Sequence, residues 1–262
     1  MQVTVNGIDT HYVFDDRSGG SALAFIHQLG GDLSVWDTLA GHFRHRHNVL
    51  RYDMRGHGTS AVASEPFGMG QLAADLDALF EANGIEHAHV VGISMGGMIA
   101  QQFALDYPAR VITLTLCDTA SHTPQEARAT WNDRAAAVRH EGLGALADAT
   151  MTRWFTADFR RTHAPTVERI CEVLLRTPPE GYAMACEALR DFDVEKRLAQ
   201  LRVPTLVVAG RHDSGTPMAM TQALARAIEE SHFVVLDAAH LAPVEESHRF
   251  TALLETFLKQ LA

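Results

Sequence analysis

The sequence has few cysteines and few basic side chains, and a long apolar run is missing from its 262 residues. Three cysteines cannot form an even disulfide framework, so we expect a soluble protein of a reducing compartment such as the cytoplasm. The 22 basic residues are outnumbered by 32 acidic ones, and this net charge of −10 argues against binding to nucleic acid or anionic lipid. No apolar stretch approaches the roughly 18 residues of a membrane span.

The composition is otherwise that of a globular chain. Apolar residues make up 47 % of the sequence, which provides a sizeable core and excludes disorder. Residues 1–16 alternate between polar and apolar side chains, in contrast to the basic and then apolar pattern of a leader, so no secretory signal is expected.

Short β-rich runs alternate with helical patterns in residues 1–118 and again in residues 203–262. Several of these runs are continuously apolar, which is typical of parallel strands buried on both faces. They are Ala22–His27, Ala88–Ile93, Val111–Cys117, Thr205–Ala209 and Phe233–Leu236. The alternation predicts an α/β fold with a doubly wound, mostly parallel sheet.

Residues 119–202 break this alternation. They contain almost no β-rich run, and their apolar residues recur at helical spacing between prolines. We therefore predict a helical cap, inserted after the sixth strand and covering one end of the sheet. In this interpretation residues 1–118 and 203–262 form the core, and residues 119–202 form the cap.

The sequence Gly92-Ile93-Ser94-Met95-Gly96 follows a predicted strand and opens a predicted helix. This is the context that a G-x-S-x-G nucleophile motif requires. A serine on such a sharp turn has its hydroxyl above the sheet edge, and glycines are needed where strand and helix backbones come close. Ser94 is therefore the predicted nucleophile.

A nucleophilic serine needs a base and a group that orients the base. Asp213 and His240 each follow a predicted strand, in the chain order Ser, Asp, His that this motif leads us to expect. The carboxyl ends of parallel strands meet at one edge of the sheet, so the three side chains should meet there. Asp118, which ends a strand, is the main rival acid. His212 is a weaker rival base, since it abuts Asp213.

Acyl transfer also needs two backbone donors for the developing oxyanion. We expect the N–H groups of Met95, which follows the nucleophile, and of Leu29, in the loop after the first predicted parallel strand. No metal site is predicted. His42, His45 and His47 are close in sequence but have no carboxylate or cysteine partner at a useful spacing, so they indicate a solvated loop.

Together these features resemble the α/β-hydrolase family over essentially the whole chain, and most closely its 3-oxoadipate enol-lactonase group. The motifs that carry the closer resemblance lie in core loops and in the predicted cap. They are Asp32-Leu33-Ser34-Val35-Trp36, Arg51-Tyr52-Asp53-Met54-Arg55-Gly56-His57-Gly58, Gly92-Ile93-Ser94-Met95-Gly96-Gly97-Met98, Leu116-Cys117-Asp118-Thr119-Ala120, Arg153-Trp154-Phe155-Thr156, Gly181-Tyr182, Cys186-Glu187-Ala188 and His240-Leu241-Ala242-Pro243-Val244-Glu245.

The resemblance implies the same catalytic residues, Ser94, Asp213 and His240, and the same oxyanion donors, Leu29 and Met95. It implies no cofactor. The chain departs from the group in two places. It has His27-Gln28 at the start of the oxyanion loop, where the group usually has a polar residue other than histidine, and it has Asp118 where the group often has asparagine.

Cap side chains are expected to select the substrate. Candidates for an apolar wall are Trp131, Trp154, Phe155 and Met184, although ordinary packing of the cap explains any one of them equally well. A lactone that bears a carboxylate needs a cation, for which Arg134 and Arg153 are the candidates. A pocket can hold an anion despite the net negative charge, because the local potential can oppose the global sign.

The leading hypothesis is hydrolysis of a carboxylic ester or lactone, with 3-oxoadipate enol-lactone or a related lactone as substrate and an acyl-enzyme on Ser94. The same three residues also serve carbon–carbon bond hydrolases and cofactor-free perhydrolases of the haloperoxidase type. A receptor that uses the hydrolase fold to bind a small ligand is the alternative without catalysis.

Overall fold

A computed structural model gives the structure of residues 1–17 and 19–260. Its strands are β1 (Gln2–Val5), β2 (Ile8–Asp15), β3 (Ala22–Ile26), β4 (Asn48–Tyr52), β5 (Ala88–Ile93), β6 (Val111–Cys117), β7 (Thr205–Gly210) and β8 (His232–Leu236). Within the described residues they form an eight-stranded sheet in the order β1-β2-β4-β3-β5-β6-β7-β8. The pairs from β4 to β8 are parallel and the two pairs that involve β2 are antiparallel, so the predicted mostly parallel sheet is confirmed.

Helices cover the sheet. They are α1 (Asp37–Phe43), α2 (Met69–Ala82), α3 (Met95–Asp106), α4 (Arg128–Glu141), α5 (Gly144–Trp154), α6 (Ala157–Thr162), α7 (Ala164–Arg176), α8 (Pro179–Arg190), α9 (Met218–Ala227), α10 (Ala242–Glu245) and α11 (Ser247–Lys259). Every residue of β3, β5 and β7 is buried, because helices pack on both faces of the central strands. None of the described helices is long and apolar enough to cross a lipid bilayer.

The helical insertion after β6 is confirmed, since α4 to α8 all lie between β6 and β7. The two ends of this inserted segment, residues 119–202, meet in a short antiparallel bridge. There the Thr123 N–H donates to the Phe192 carbonyl and the Val194 N–H to the Ser121 carbonyl, each at 2.9 Å. This bridge lets a long excursion of the chain leave and re-enter the sheet at neighbouring points.

The two predicted core ranges include Ser18, Leu261 and Ala262, which lie outside the described residues. The division into core residues 1–118 and 203–262 and a cap of residues 119–202 stays a prediction, because it depends on which parts behave as units.

Candidate active site

Ser94 lies at the sharp turn between β5 and α3. Its backbone has φ of +53° and ψ of −119°, a left-handed region that non-glycine residues rarely enter. The turn packs directly on the end of β3, since a Cβ atom at Gly96 would lie 2.6 Å from the carbonyl oxygen of His27. Only glycine fits there, so the motif glycines let the strained turn sit on the sheet edge.

His240 contacts the side chains of both other predicted triad residues. Its Nε2 atom lies 2.8 Å from Ser94 Oγ, and its Nδ1 atom lies 2.8 Å from Asp213 Oδ2. Because a carboxylate can only accept, Nδ1 carries a hydrogen and Nε2 is left to accept one from the serine hydroxyl. The structure therefore brings together three side chains that are 146 and 27 residues apart along the chain.

The carboxylate of Asp213 is fixed at both oxygen atoms. Oδ1 accepts hydrogen bonds from the backbone N–H groups of Gly215, at 2.7 Å, and Thr216, at 2.9 Å, while Oδ2 accepts from His240. The residue is only 7 % exposed. Its negative charge is thus held in one orientation toward the imidazole, as stabilisation of an imidazolium requires.

Asp118, the rival acid, has a different position. It is fully buried, and its two carboxylate oxygens accept backbone N–H groups from Gly210, at 2.6 Å, and Ala242, at 3.1 Å. Gly210 ends the strand that leads to Asp213, and Ala242 follows His240 by two residues. Burial, and next the charge of Asp213, raise the pKa of Asp118 well above its usual value. Asp118 thus ties together the two loops that carry the acid and the base.

The oxyanion loop, residues 27–31, lies beside Ser94, and Leu29 and Ser94 line the same cavity. Among the described residues, the N–H groups of Leu29 and Met95 donate no hydrogen bond. Both N–H groups therefore remain available to an oxygen atom placed near the serine, as the prediction requires. The role of these two N–H groups as oxyanion donors stays a prediction.

His27 holds the peptide unit that carries the Leu29 N–H. Its Nδ1 atom donates to the Gln28 carbonyl at 2.8 Å, and its Nε2 atom accepts the Met54 N–H at 3.0 Å. The Gln28 carbonyl and the Leu29 N–H belong to one planar amide and point in opposite directions. The hydrogen bond that fixes the Gln28 carbonyl therefore also fixes the direction of the Leu29 N–H. Burial lowers the pKa of His27, which keeps the ring neutral for both bonds.

A cavity of about 310 Å³ lies over Ser94, between the core and the inserted segment. We call it the active-site cavity. Four of the six substrate-binding candidates of the inserted segment line it: Trp131, Arg134, Arg153 and Trp154. Among the described residues, no aspartate or glutamate lines this cavity, although the chain as a whole is acidic.

The two arginines of the active-site cavity lack a carboxylate partner among the described residues. The Arg134 guanidinium lies 5.0 Å from the Trp131 ring centroid, a cation–π arrangement. The Arg153 guanidinium has only a long hydrogen bond of 3.4 Å to Thr150. Burial, and next the nearby Arg134 cation, lower the pKa of Arg153. Two cations close to each other, with no carboxylate in salt-bridge contact among the described residues, favour an anion in this cavity.

Two of the proposed wall residues lie elsewhere. Phe155 is buried and stacks on Phe159 with ring centroids 5.2 Å apart, outside the lining of the cavity. Met184 packs in a small apolar cluster with Ile8 and Ala63. The helical periodicity around them could not show which face of each helix meets the cavity, so these two wall assignments were wrong. His212 is also remote from the serine, since its exposed ring contacts Asp237 at 3.0 Å.

Sequence reasoning missed Glu245. Its carboxylate accepts the N–H of Ala239, at 3.0 Å, and the N–H of Thr156, at 3.2 Å. The Leu241 N–H donates in addition to the Trp154 carbonyl at 3.1 Å. These bonds join the loop that carries His240 to the end of α5. Nothing local in the sequence pairs residues 156 and 245, so only the fold shows this connection.

The arrangement provides a hydroxyl next to an imidazole, an oriented carboxylate and, among the described residues, two backbone N–H groups that donate no hydrogen bond. Such a set of groups can transfer the serine proton to the imidazole, form a covalent ester with an acyl group and stabilise the oxyanion of each tetrahedral intermediate.

Comparison with known proteins gives consistent results. A family model for the alpha/beta hydrolase fold matches residues 22–171, and a model for TAP-like protein matches residues 180–260. The chain is 35 % identical over 258 residues to 3-oxoadipate enol-lactonase 2 of Acinetobacter baylyi, covering 98 % of this chain and 96 % of the relative.

Two solved structures are similar over nearly the whole chain. The enol-lactonase from Burkholderia xenovorans LB400 has a TM-score of 0.95 and 35 % identity, covering 99 % of this chain and all of that one. A thermophilic esterase from Thermogutta terrifontis, with malate bound, has a TM-score of 0.93 and 31 % identity, covering all of this chain and 99 % of that one.

Proposed function

The chain belongs to the α/β-hydrolase family, and from this premise we propose that it hydrolyses a carboxylic ester or lactone that bears a carboxylate, through an acyl-enzyme on Ser94. The specific substrate that we favour is the enol-lactone of 3-oxoadipate. The two enol-lactonases, each 35 % identical over nearly their full length, support this choice.

One observation carries the catalytic part of the proposal, namely the continuous contact from Ser94 Oγ through the His240 ring to Asp213, with both distances at 2.8 Å. As the Ser94 oxygen attacks the carbonyl carbon, its proton passes to His240 Nε2. The carbonyl oxygen becomes an oxyanion that accepts the N–H groups of Leu29 and Met95. Each such donor contributes about 3 kcal/mol to the transition state.

Collapse of this intermediate breaks the bond between the acyl carbon and the leaving oxygen. The His240 imidazolium returns its proton to the leaving group, which in an enol-lactone is an enol that tautomerises to a ketone. The ring is then open and the acyl group is bound to Ser94. Water loses a proton to His240 and attacks the acyl carbon. The bond between this carbon and Ser94 Oγ then breaks, His240 returns the proton to the serine oxygen, and a carboxylic acid is released.

The unpaired arginines support an anionic substrate. Arg134 and Arg153 line the active-site cavity and have no carboxylate partner among the described residues, so a substrate carboxylate would give these two cations a counter-charge. The similar esterase of known structure has malate bound, a dicarboxylate. An anion at this place would also hold the scissile carbonyl beside Ser94, which lowers the entropic part of the barrier.

The test uses a small substrate panel and a covalent probe. We expect the wild type to consume enol-lactones and carboxylate-bearing esters faster than a vinylogous diketone, and mass spectrometry with a fluorophosphonate to show one adduct on Ser94. Ser94→Ala should remove turnover and labelling while the circular dichroism spectrum stays that of the wild type.

Full activity of Ser94→Ala would exclude the acyl-enzyme. Preferred cleavage of the diketone would indicate a carbon–carbon hydrolase, and preferred peracid formation from hydrogen peroxide would indicate a perhydrolase. Tight ligand binding without turnover of any panel member would identify a receptor.

A further inference from the structure

The mechanism leaves one buried polar side chain of the active-site cavity without a role, that of Gln28. This residue is 1 % exposed and lines the cavity together with Ser94 and Leu29. Among the described residues, its Oε1 atom is sealed from solvent and has no hydrogen-bond partner. A buried amide without a partner is costly and uncommon in native proteins, so its presence beside a nucleophile points to a ligand group.

The backbone of Gln28 is rigidly held. Its carbonyl accepts two hydrogen bonds, one from His27 Nδ1 at 2.8 Å and one from the Gly31 N–H at 3.1 Å. Because the backbone cannot rotate without breaking both bonds, the side chain leaves the oxyanion loop in a fixed direction. The amide is therefore preorganised, as recognition of a small group requires.

Gly31 makes the space that the amide occupies. A Cβ atom at residue 31 would lie 2.6 Å from Nε2, 2.7 Å from Cδ and 2.8 Å from Oε1 of Gln28. All three amide atoms thus rest flat against the backbone of Gly31. The φ of Gly31 is not positive, so the glycine serves close approach instead of an unusual backbone conformation. The loop accommodates this side chain in this place, and any larger residue at position 31 would displace it.

The position of the amide relates it to the acyl part of the substrate. Gln28 directly precedes Leu29, whose N–H we expect to hold the carbonyl oxygen, and it lines the same cavity as Leu29 and Ser94, so we expect its side chain beside the acyl part of a bound substrate. The two arginines that line the cavity belong to the inserted segment instead, and in the proposed function they bind the substrate carboxylate. Gln28 thus provides a second polar contact that is independent of the substrate charge.

We propose that Gln28 is a specificity-determining residue that hydrogen-bonds an oxygen substituent on the acyl chain close to the scissile carbonyl. The enzyme should prefer oxo- or hydroxy-acyl groups over plain alkyl acyl groups. An amide suits both kinds, since its NH₂ donates to an oxo group and, after a half-turn about the Cγ–Cδ bond, its oxygen accepts from a hydroxyl. This inference rests on the proposed hydrolytic function.

The experiment compares phenyl butanoate with phenyl 3-oxobutanoate and phenyl 3-hydroxybutanoate, which share a leaving group. The measured quantity is the ratio of kcat/KM for each oxygenated ester to that for phenyl butanoate, so intrinsic reactivity cancels between variants. We expect Gln28→Leu, which keeps the size and removes the amide, to lower both ratios at least tenfold. Gly31→Ala should lower them in the same direction, because it displaces the amide.

Gln200→Leu is the matched control, since Gln200 is exposed and lies outside the cavity lining. Its ratios should equal those of the wild type. Unchanged ratios in Gln28→Leu, or equal losses on all three esters, would overturn the inference and leave Gln28 a structural part of the loop. Failure of the wild type to acylate Ser94 with any ester, read by mass spectrometry, would instead reject the proposed function.

Discussion

The core and the inserted segment each supply one wall of the active-site cavity, and their polar groups are held differently. On the core side, Asp213, His240 and His27 have a hydrogen-bond partner at each of their polar side-chain atoms. On the helical side, Arg134 and Arg153 lack a carboxylate partner. The side chains proposed to hold or move protons, Asp213 and His240, are thus held by hydrogen bonds. The side chains proposed to bind a substrate carboxylate, Arg134 and Arg153, have no carboxylate partner among the described residues.

Gln28 is an exception on the core wall, since its Oε1 atom is buried and has no partner among the described residues. Gln28 resembles the two arginines in having a polar group without a matching partner, although it lies on the same wall as the hydrogen-bonded side chains of Asp213, His240 and His27. If the contrast between the walls is correct, changes at fixed groups should lower kcat for all substrates. Changes at open groups should alter the choice of substrate.

The largest effect is expected at the oriented carboxylate. Asp213→Asn keeps the shape but donates where a carboxylate accepts, so it favours the wrong tautomer of His240. We expect kcat to fall by about 10⁴ on charged and neutral substrates alike. Steady-state kinetics would measure this loss. Asp237→Asn, at an exposed residue of a neighbouring loop, is the control and should retain wild-type kcat.

A change of KM with little change of kcat in Asp213→Asn would break the comparison, because the carboxylate would then not act through the base. The activity that remains in this variant would also show whether the buried Asp118, whose pKa is raised by burial and by the charge of Asp213, can supply part of the missing charge.

The next effect concerns the orientation of the oxyanion donor. His27→Gln keeps an acceptor for the Met54 N–H but loses the donor to the Gln28 carbonyl, whereas His27→Asn keeps that donor. We expect kcat to fall about 10- to 100-fold in the glutamine variant and less in the asparagine variant, since removal of a whole donor costs about 10²–10³.

The readout that distinguishes orientation from general damage is the affinity of an alkyl boronic acid, which mimics the tetrahedral intermediate. Its Ki should rise in parallel with the loss of kcat, while KM stays nearly constant. Equal losses in the two His27 variants would show that the ring only fills space.

Removal of a cation from the helical wall should have a selective effect. Arg134→Gln and Arg153→Gln should each raise KM for carboxylate-bearing substrates about 10-fold, which corresponds to about 1.4 kcal/mol. Neutral esters of similar size should be affected less than threefold. Arg161→Gln, at a residue with a side chain 73 % exposed, serves as the control. Equal losses on charged and neutral esters would mean that the arginines only pack the cavity wall.

The smallest effect is a pH dependence of stability. Burial, and next the charge of His27, lower the pKa of the fully buried His57 from 6.5 to about 3. A base whose folded pKa is lowered stabilises the protein fully above pH 6.5, and this contribution is lost as the pH falls toward 3, because the unfolded chain binds the proton first. The slope is at most about 1.4 kcal/mol per pH unit for each such group.

Urea unfolding at pH 7.5, 6.0 and 5.0 would measure this slope. His57→Asn, which retains the donor to the Arg55 carbonyl, should show a shallower loss of stability over that range than the wild type. A parallel loss in both proteins would mean that other groups cause the acid sensitivity.

Much of the fold and the candidate triad could be predicted, and the reasons are local. The continuous apolar runs indicate buried parallel strands. The strand-to-helix context of Gly92–Gly96 indicates the sharp turn that carries Ser94, and neither prediction needs information about packing. Asp213 and His240 follow such strands, so the parallel topology alone brings them to the edge where Ser94 lies. The wall residues Phe155 and Met184 were mispredicted, because several faces of the cap helices are apolar.

The sequence by itself determined the order of strands and helices and the chain positions of the candidate nucleophile and its candidate partners, since these follow from periodicity and from backbone demands within a few residues. Only the tertiary structure decided that Glu245 ties the histidine loop to the inserted segment, that Asp118 bridges two loops and that Arg134 and Arg153 lie unpaired in one cavity. Such contacts join residues far apart in the chain, and their distances depend on how whole elements pack.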